Sequence, residues 1–137
     1  MRARIMAVDV CHGMAIYSDE YGDVVVDCIY YSEDKHPGHV LIRGVAPRTR
    51  KDAVVVLKSC EAVEYCLPQM VECGQISKGD IVFVNGQWVC VSGVDIGKSM
   101  CNLYAVGCKS KGHESIGYIP ISYPLVTIRP PWHFTRE

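Results

Sequence analysis

Residues 80–94, Asp-Ile-Val-Phe-Val-Asn-Gly-Gln-Trp-Val-Cys-Val-Ser-Gly-Val, carry the clearest pattern of apolar and polar positions in the chain. Asn85-Gly86 suits a two-residue hairpin loop whose central residues both take positive φ. Such a loop sets the register: Val84 opposite Gln87, Phe83 opposite Trp88, Val82 opposite Val89, Ile81 opposite Cys90. One face then carries Ile81, Phe83, Trp88 and Cys90, the other Val82, Val84, Val89 and Val91. A half-exposed hairpin alternates apolar and polar residues. This one is apolar on both faces, which predicts a ribbon inside a barrel or between layers.

The rest of the chain reads as short strands separated by turn signals. Strands are expected over residues 3–10 and 13–18, with a bend at Cys11-His12-Gly13, and over 24–31, 39–45, 70–73, 100–106, 115–120 and 123–128. Turns are expected at 19–23, where Gly22 is free to take positive φ, and at 74–79. Residues 32–38 form a polar loop, and 46–51 and 107–112 form basic ones. Residues 53–67 are ambiguous. Val54-Val55-Val56 predicts a strand through Lys58, and Glu61-Ala62-Val63-Glu64-Tyr65 suits either a short helix or a second strand, stopped by Pro68. No helical period alternates with strands, so a parallel α/β sheet is not expected. The expected fold is mostly β: a small antiparallel β-barrel or sandwich with at most one short helix. The length of 137 residues falls within the ~100–200 of one domain. Residues 1–128 are therefore expected to form a single barrel domain, followed by an extended tail at 129–137.

Composition narrows the function. A net charge of −1 disfavours a dedicated nucleic-acid binder, which carries a basic excess. The longest apolar run, residues 53–57, is far short of the ~20 needed to span a bilayer. Asp9 ends the N-terminal apolar run before it reaches the ~7–15 residues of a signal-peptide core. Synthesis in a cytosol with no membrane partner is the expectation. The 8 cysteines, without a secretory context, are then expected as small buried hydrophobes rather than disulfides.

No catalytic residue, metal site or cofactor is expected. His36 and His39 are three apart, but Pro37-Gly38 between them forbids the helix that would let them share a metal. Cys60, Cys66 and Cys73 are spaced too widely for a structural zinc site, and Cys101 with Cys108 is no better. Cys11 and His12, adjacent in an extended chain, point to opposite faces. Residues 93–99 lack both the spacing and the helix of a phosphate loop.

Charge is segregated along the chain. Residues 18–34 hold six acids (Asp19, Glu20, Asp23, Asp27, Glu33, Asp34) and no base, whereas 43–51 hold four bases (Arg43, Arg48, Arg50, Lys51) and no acid. Apart from solvated loops, this suggests a head-to-tail contact between copies, and heterologous contacts close into rings. The tail adds Pro130-Pro131, which forces an extended path, and then Trp132 and Phe134, which either fold back on the chain's own barrel or anchor in a groove of a neighbouring subunit, where aromatic residues commonly dominate binding. Asp19, Glu20, Asp23, Arg43, Arg48, Arg50, Lys51, Trp132 and Phe134 are thus the candidate partner-binding residues.

Three segments together resemble the small head-closure, or head–tail joining, proteins of tailed bacteriophages. These are Asp19-Glu20-Tyr21-Gly22, Gly44-Val45-Ala46-Pro47-Arg48, and Gly79-Asp80-Ile81-Val82 with Gly86-Gln87-Trp88-Val89-Cys90-Val91. The resemblance implies a non-enzymatic virion protein, assembled in the host cytoplasm. It would be a homo-oligomeric ring or lattice, with portal, adaptor and tail proteins as partners. Alternatives are a capsid decoration or accessory protein that binds a host factor, and a cysteine-dependent enzyme. A nucleic-acid role for residues 43–51 with Lys109 and Lys111 is a minor further reading.

Overall fold

A computed structural model describes residues 3–31, 37–106 and 113–131, with only the backbone of His113 and Glu114. The described chain is mostly β, in agreement with the expected class. Its twelve strands are β1 (Arg4–Met6), β2 (Ala15–Ser18), β3 (Gly22–Tyr31), β4 (His39–Ala46), β5 (Lys51–Lys58), β6 (Ala62–Cys66), β7 (Gln69–Glu72), β8 (Ile81–Val84), β9 (Gln87–Ile96), β10 (Met100–Val106), β11 (His113–Pro120) and β12 (Pro124–Ile128). The helical content among the described residues is two single 3-10 turns, Ala7–Asp9 and Cys73–Gln75. Residues 61–65, left open between helix and strand, are extended: Ala62–Cys66 pairs with both β1 and β2.

The strands form two antiparallel six-stranded sheets, ordered β1-β6-β2-β3-β4-β5 and β11-β10-β9-β8-β12-β7. Neither closes into a barrel. The chain divides into two compact units, one built on residues 1–46, 51–67 and 130 onward, the other on 47–50 and 68–129. Each unit has its own core. The first packs Ile16, Val24, Val26, Val40, Ile42 and Val63 together. The second packs Val71, Val82, Val89, Val91, Leu103 and Leu125. The alternation along each strand produces this: on β10, Cys101, Leu103 and Ala105 point in while Asn102 and Tyr104 point out.

In the first unit, Ser18 shapes the β2–β3 turn. Its hydroxyl accepts the N–H groups of Glu20 and Tyr21, each at 3.3 Å, and Gly22 takes φ +75°. Gly44 lies where β3 bulges between Val26 and Cys28. A Cβ there would stand 2.2 Å from the Val25 carbonyl oxygen, so the close approach of the two backbones requires glycine.

In the second unit, the 81–90 hairpin has the expected register, from Val84 with Gln87 to Ile81 with Cys90. Asn85 and Gly86 both have positive φ, +51° and +77°. The ribbon is not interior along its whole length, however. Ile81, Val82, Val89, Cys90 and Val91 are buried, while Phe83 at the tip is 41% exposed. Phe83 and Trp88 pair across the strands with ring centroids 5.1 Å apart. They cover each other at the hairpin tip. The base of the hairpin is held by Asp80. Its Oδ2 accepts the Ser77 N–H at 2.9 Å and the Arg129 Nε–H at 3.2 Å, and Arg129 also donates to the Gln75 carbonyl.

Candidate interaction surface

The candidate partner residues fall in different settings. Asp19 and Glu20 are exposed on the β2–β3 turn, at the rim of a cleft of about 410 Å³ that Glu61, Glu64, Val55 and Leu57 also line. Arg4 Nη2 stands 4.0 Å from Glu64 Oε1 at its edge. Asp23 is 1% exposed, so its carboxylate is not presented to a partner; it begins β3 on the inner side of the turn. Arg43 is exposed in mid-β4. Arg48 is exposed on the β4–β5 turn. Arg50, at φ +56°, is half-buried and donates to the Val106 carbonyl at 3.3 Å. Lys51 is exposed at the start of β5. Trp132 and Phe134 lie outside the described residues, as do Glu33, Asp34, His36, Cys108 and the second basic loop.

The register corrects the picture of separate acidic and basic faces. Gly22, which follows the acidic turn, opens β3, and Val25 near that opening pairs with Val45 near the end of β4. Ala46 in turn pairs with Lys51. The acidic turn and Lys51 therefore sit at the same end of one sheet. Runs of opposite sign in the sequence become neighbours because antiparallel strands fold back on one another.

The surface that the sequence reading missed is β5. This eight-residue strand ends its sheet and pairs only with β4 among the described residues. Ala53, Val55 and Leu57 face inward, whereas Val54 and Val56 are 42% and 43% exposed. The apolar outer face continues inward along the register Val56–Leu41–Tyr30, with Tyr30 exposed, while the next row, Val54–Arg43–Cys28, is interrupted by the exposed Arg43. The signal lay in the sequence. Three consecutive valines in an extended strand place apolar side chains on both sides, and among the described residues the outer side is left partly exposed.

The other sheet ends are better protected. β1 has three residues and β7 four. β11 carries a register break, Gly117 at φ +120° and Pro120. β5 has no glycine, proline or bulge, and its charges, Lys51, Asp52 and Lys58, stand at its two ends, which leaves residues 53–57 as the least blunted sheet edge among the described residues.

The outer face of β9–β10–β11 in the second unit is polar. Tyr104 Oη donates to Asp95 Oδ2 at 2.9 Å and accepts from Asn102 Nδ2 at 3.0 Å, and Ser115 Oγ donates to Asn102 Oδ1 at 2.8 Å. The hydrogen bond to Asp95, then burial, then the charges of Asp95 and Tyr118 raise the Tyr104 phenol above its usual value.

The thiols hold no catalytic geometry among the described residues. The Cys11 thiol donates to the Asp9 carbonyl, and the neighbouring His12 ring is 3.9 Å from Asp27 instead. Burial, and then Cys101 beside it, push the Cys73 thiol up to about 11, which leaves it un-ionised at neutral pH. No group of three His, Cys, Asp or Glu among the described residues is placed to hold a metal ion. No described helix is long and apolar enough to cross a membrane.

The described residues thus form a mostly β protein of two compact units, with β5 an exposed, partly apolar sheet edge among them. Neither a known protein family nor a curated protein matches its sequence. Among solved structures it is similar to a translation initiation factor eif-5a family protein from Naegleria fowleri. The identity is 11%, over 89% of this chain and 72% of that one, with a TM-score of 0.41. A likeness at that level carries no functional argument.

Proposed function

We propose that this chain is a non-enzymatic assembly protein that works by holding other protein subunits, most specifically as a head–tail connector of a tailed-phage virion. The observation that carries the assembly reading is β5: an eight-residue edge strand, apolar on both faces, whose outer Val56 continues through half-buried Leu41 to exposed Tyr30. Large exposed apolar patches on soluble proteins mark contact sites, and an open strand edge offers an unpaired row of N–H and C=O groups for pairing. Copies of this chain and neighbouring virion proteins are the partners on this reading. The virion placement rests on the three segments that resemble head-closure proteins. Two of them also have local structural work, Ser18–Gly22 as a capped turn and Gly44 at the β3 bulge.

Analytical ultracentrifugation of the purified chain over a wide concentration range tests the reading, alone and mixed with portal, adaptor and tail proteins of the same phage. Self-association, or a complex with one of those proteins, is expected. A chain that remains monomeric throughout would overturn it.

A further inference from the structure

We propose that β5 pairs with β5 of a second copy, antiparallel about a two-fold axis through Val55, joining two six-stranded sheets into one of twelve. The proposal rests on the assembly reading above and names its partner and register.

The argument begins with the order of residues along the strand, Lys51-Asp52-Ala53-Val54-Val55-Val56-Leu57-Lys58. In a two-fold antiparallel pair, the residue numbers facing each other share a constant sum. Facing residues also point to the same side of the sheet. If Val55 faces its own copy, Asp52 faces Lys58, Ala53 faces Leu57 and Val54 faces Val56. Each pair occurs twice. The outer face then reads Asp52–Lys58, Val54–Val56, Val56–Val54, Lys58–Asp52, with an ion pair closing each end. The inner face sets small Ala53 against larger Leu57 on either side of the central valines.

Shifting the register by one, so that Val54 faces Val55, places Lys51 against Lys58 and leaves Asp52 facing Leu57. That shift also sets inward residues against outward ones, since the side-chain period is two. Charge, size and face agree in one alignment alone of these two. The side chains support the same choice. Val54 and Val56 are exposed, while Asp52 and Lys58 lie exposed beyond them on the same face. In the pair, each copy's outer row Val56–Leu41–Tyr30 would meet the other's row Val54–Arg43–Cys28 across the axis, so the four outer valines form an apolar centre flanked by Leu41 on one side of each row and Arg43 on the other. The contact is isologous and closes at two copies. It differs from the head-to-tail ring that segregated charge suggested.

Two single variants and their mixture test this. Lys58→Asp leaves two acids at the strand ends, and Asp52→Lys leaves two bases. Each variant alone sets like charges opposite each other twice, and each should weaken self-association about tenfold or more. In the mixture every end pair is opposite in sign, so the two variants together should form a heterodimer with an affinity within about threefold of the wild-type dimer. Both substitutions are at exposed positions, and circular dichroism of each variant verifies that the sheet is intact. A second pair of changes, Val54→Lys with Val56→Lys, should abolish dimerisation with the fold retained.

Sedimentation equilibrium separates the outcomes. Monomeric wild-type protein at all concentrations overturns this contact and the homomeric part of the assembly reading. Variants that associate as the wild type does overturn the β5 contact and leave the assembly reading standing. Variants that dissociate singly but fail to recombine overturn the register. Weakening alone with recovery on mixing is the result the geometry requires.

Discussion

Arg129 is expected to matter more to stability than the acid it pairs with. Asp80 is completely buried as a residue, and its carboxylate oxygen Oδ1 has no hydrogen-bond partner among the described residues. Its other oxygen is held by the Ser77 N–H and by Arg129, whose side chain is 35% exposed. The two partners therefore leave different things behind when removed. Arg129→Met strands a buried carboxylate with one backbone donor, and breaking a buried pair in that way costs about 3–5 kcal/mol. Asp80→Asn keeps an acceptor for both donors and leaves an arginine that water still reaches. Its cost is the charge-assisted part of two hydrogen bonds, about 1–2 kcal/mol.

The double variant Asp80→Asn with Arg129→Met should then cost less than the sum, because the stranded charge is gone, with a coupling of about 1–3 kcal/mol. The amides of Gly79 and Val91 give a local reading of the same clamp. They bond to the Val91 and Asp80 carbonyls at 2.9 and 2.8 Å, across the base of the 81–90 hairpin. Urea unfolding followed by circular dichroism, with amide exchange at those two positions, measures both. The reasoning is refuted if Arg129→Met costs less than about 1 kcal/mol, or if Asp80→Asn proves the more damaging change.

Three further outcomes follow from the geometry. Gly44→Ala should destabilise the first unit by about 3 kcal/mol or more, the top of the usual overpacking range, because the Cβ would meet a backbone oxygen rather than a yielding side chain. Chemical unfolding within about 0.5 kcal/mol of wild type would contradict the close approach at the bulge. The raised Tyr104 phenol contributes stability that is fully present below the ordinary tyrosine value and is lost as pH rises through its higher folded value. The wild-type minus Tyr104→Phe difference in phenolate absorbance should appear above the usual tyrosine range and move down in Asp95→Asn; no movement would remove Asp95 as the cause. Cys73, with its thiol near 11, should be alkylated far more slowly at neutral pH than exposed Cys11 and Cys60, and rapidly once urea unfolds the chain. Peptide mapping reads the order, and an abnormally fast thiol at any position would revive the cysteine-enzyme alternative.

Local chemistry was enough to read the strands, because the information lies in adjacent residues. Asn85-Gly86 dictates a hairpin and its register through backbone sterics, Gly22 dictates a turn, and the period of two along β10 separates core from surface. The helix-or-strand ambiguity over 61–65 was real, since Glu-Ala-Val-Glu-Tyr satisfies both periods; pairing with β1 and β2 settled it. What the sequence could not determine was which of two apolar faces would be covered. Phe83 and Val54 look alike in a list of strand residues. Phe83 ends at a hairpin tip beside Trp88, and Val54 lies on the last strand of a sheet. The same holds for charge. Asp23 and Asp19 are four residues apart on one acidic run, but one turns inward and the other out. Acidic and basic runs that read as separate poles share a sheet end once the strands fold back. Strand formation is decided by neighbours in sequence, whereas exposure is decided by strand order, and strand order depends on pairings between residues far apart in the chain.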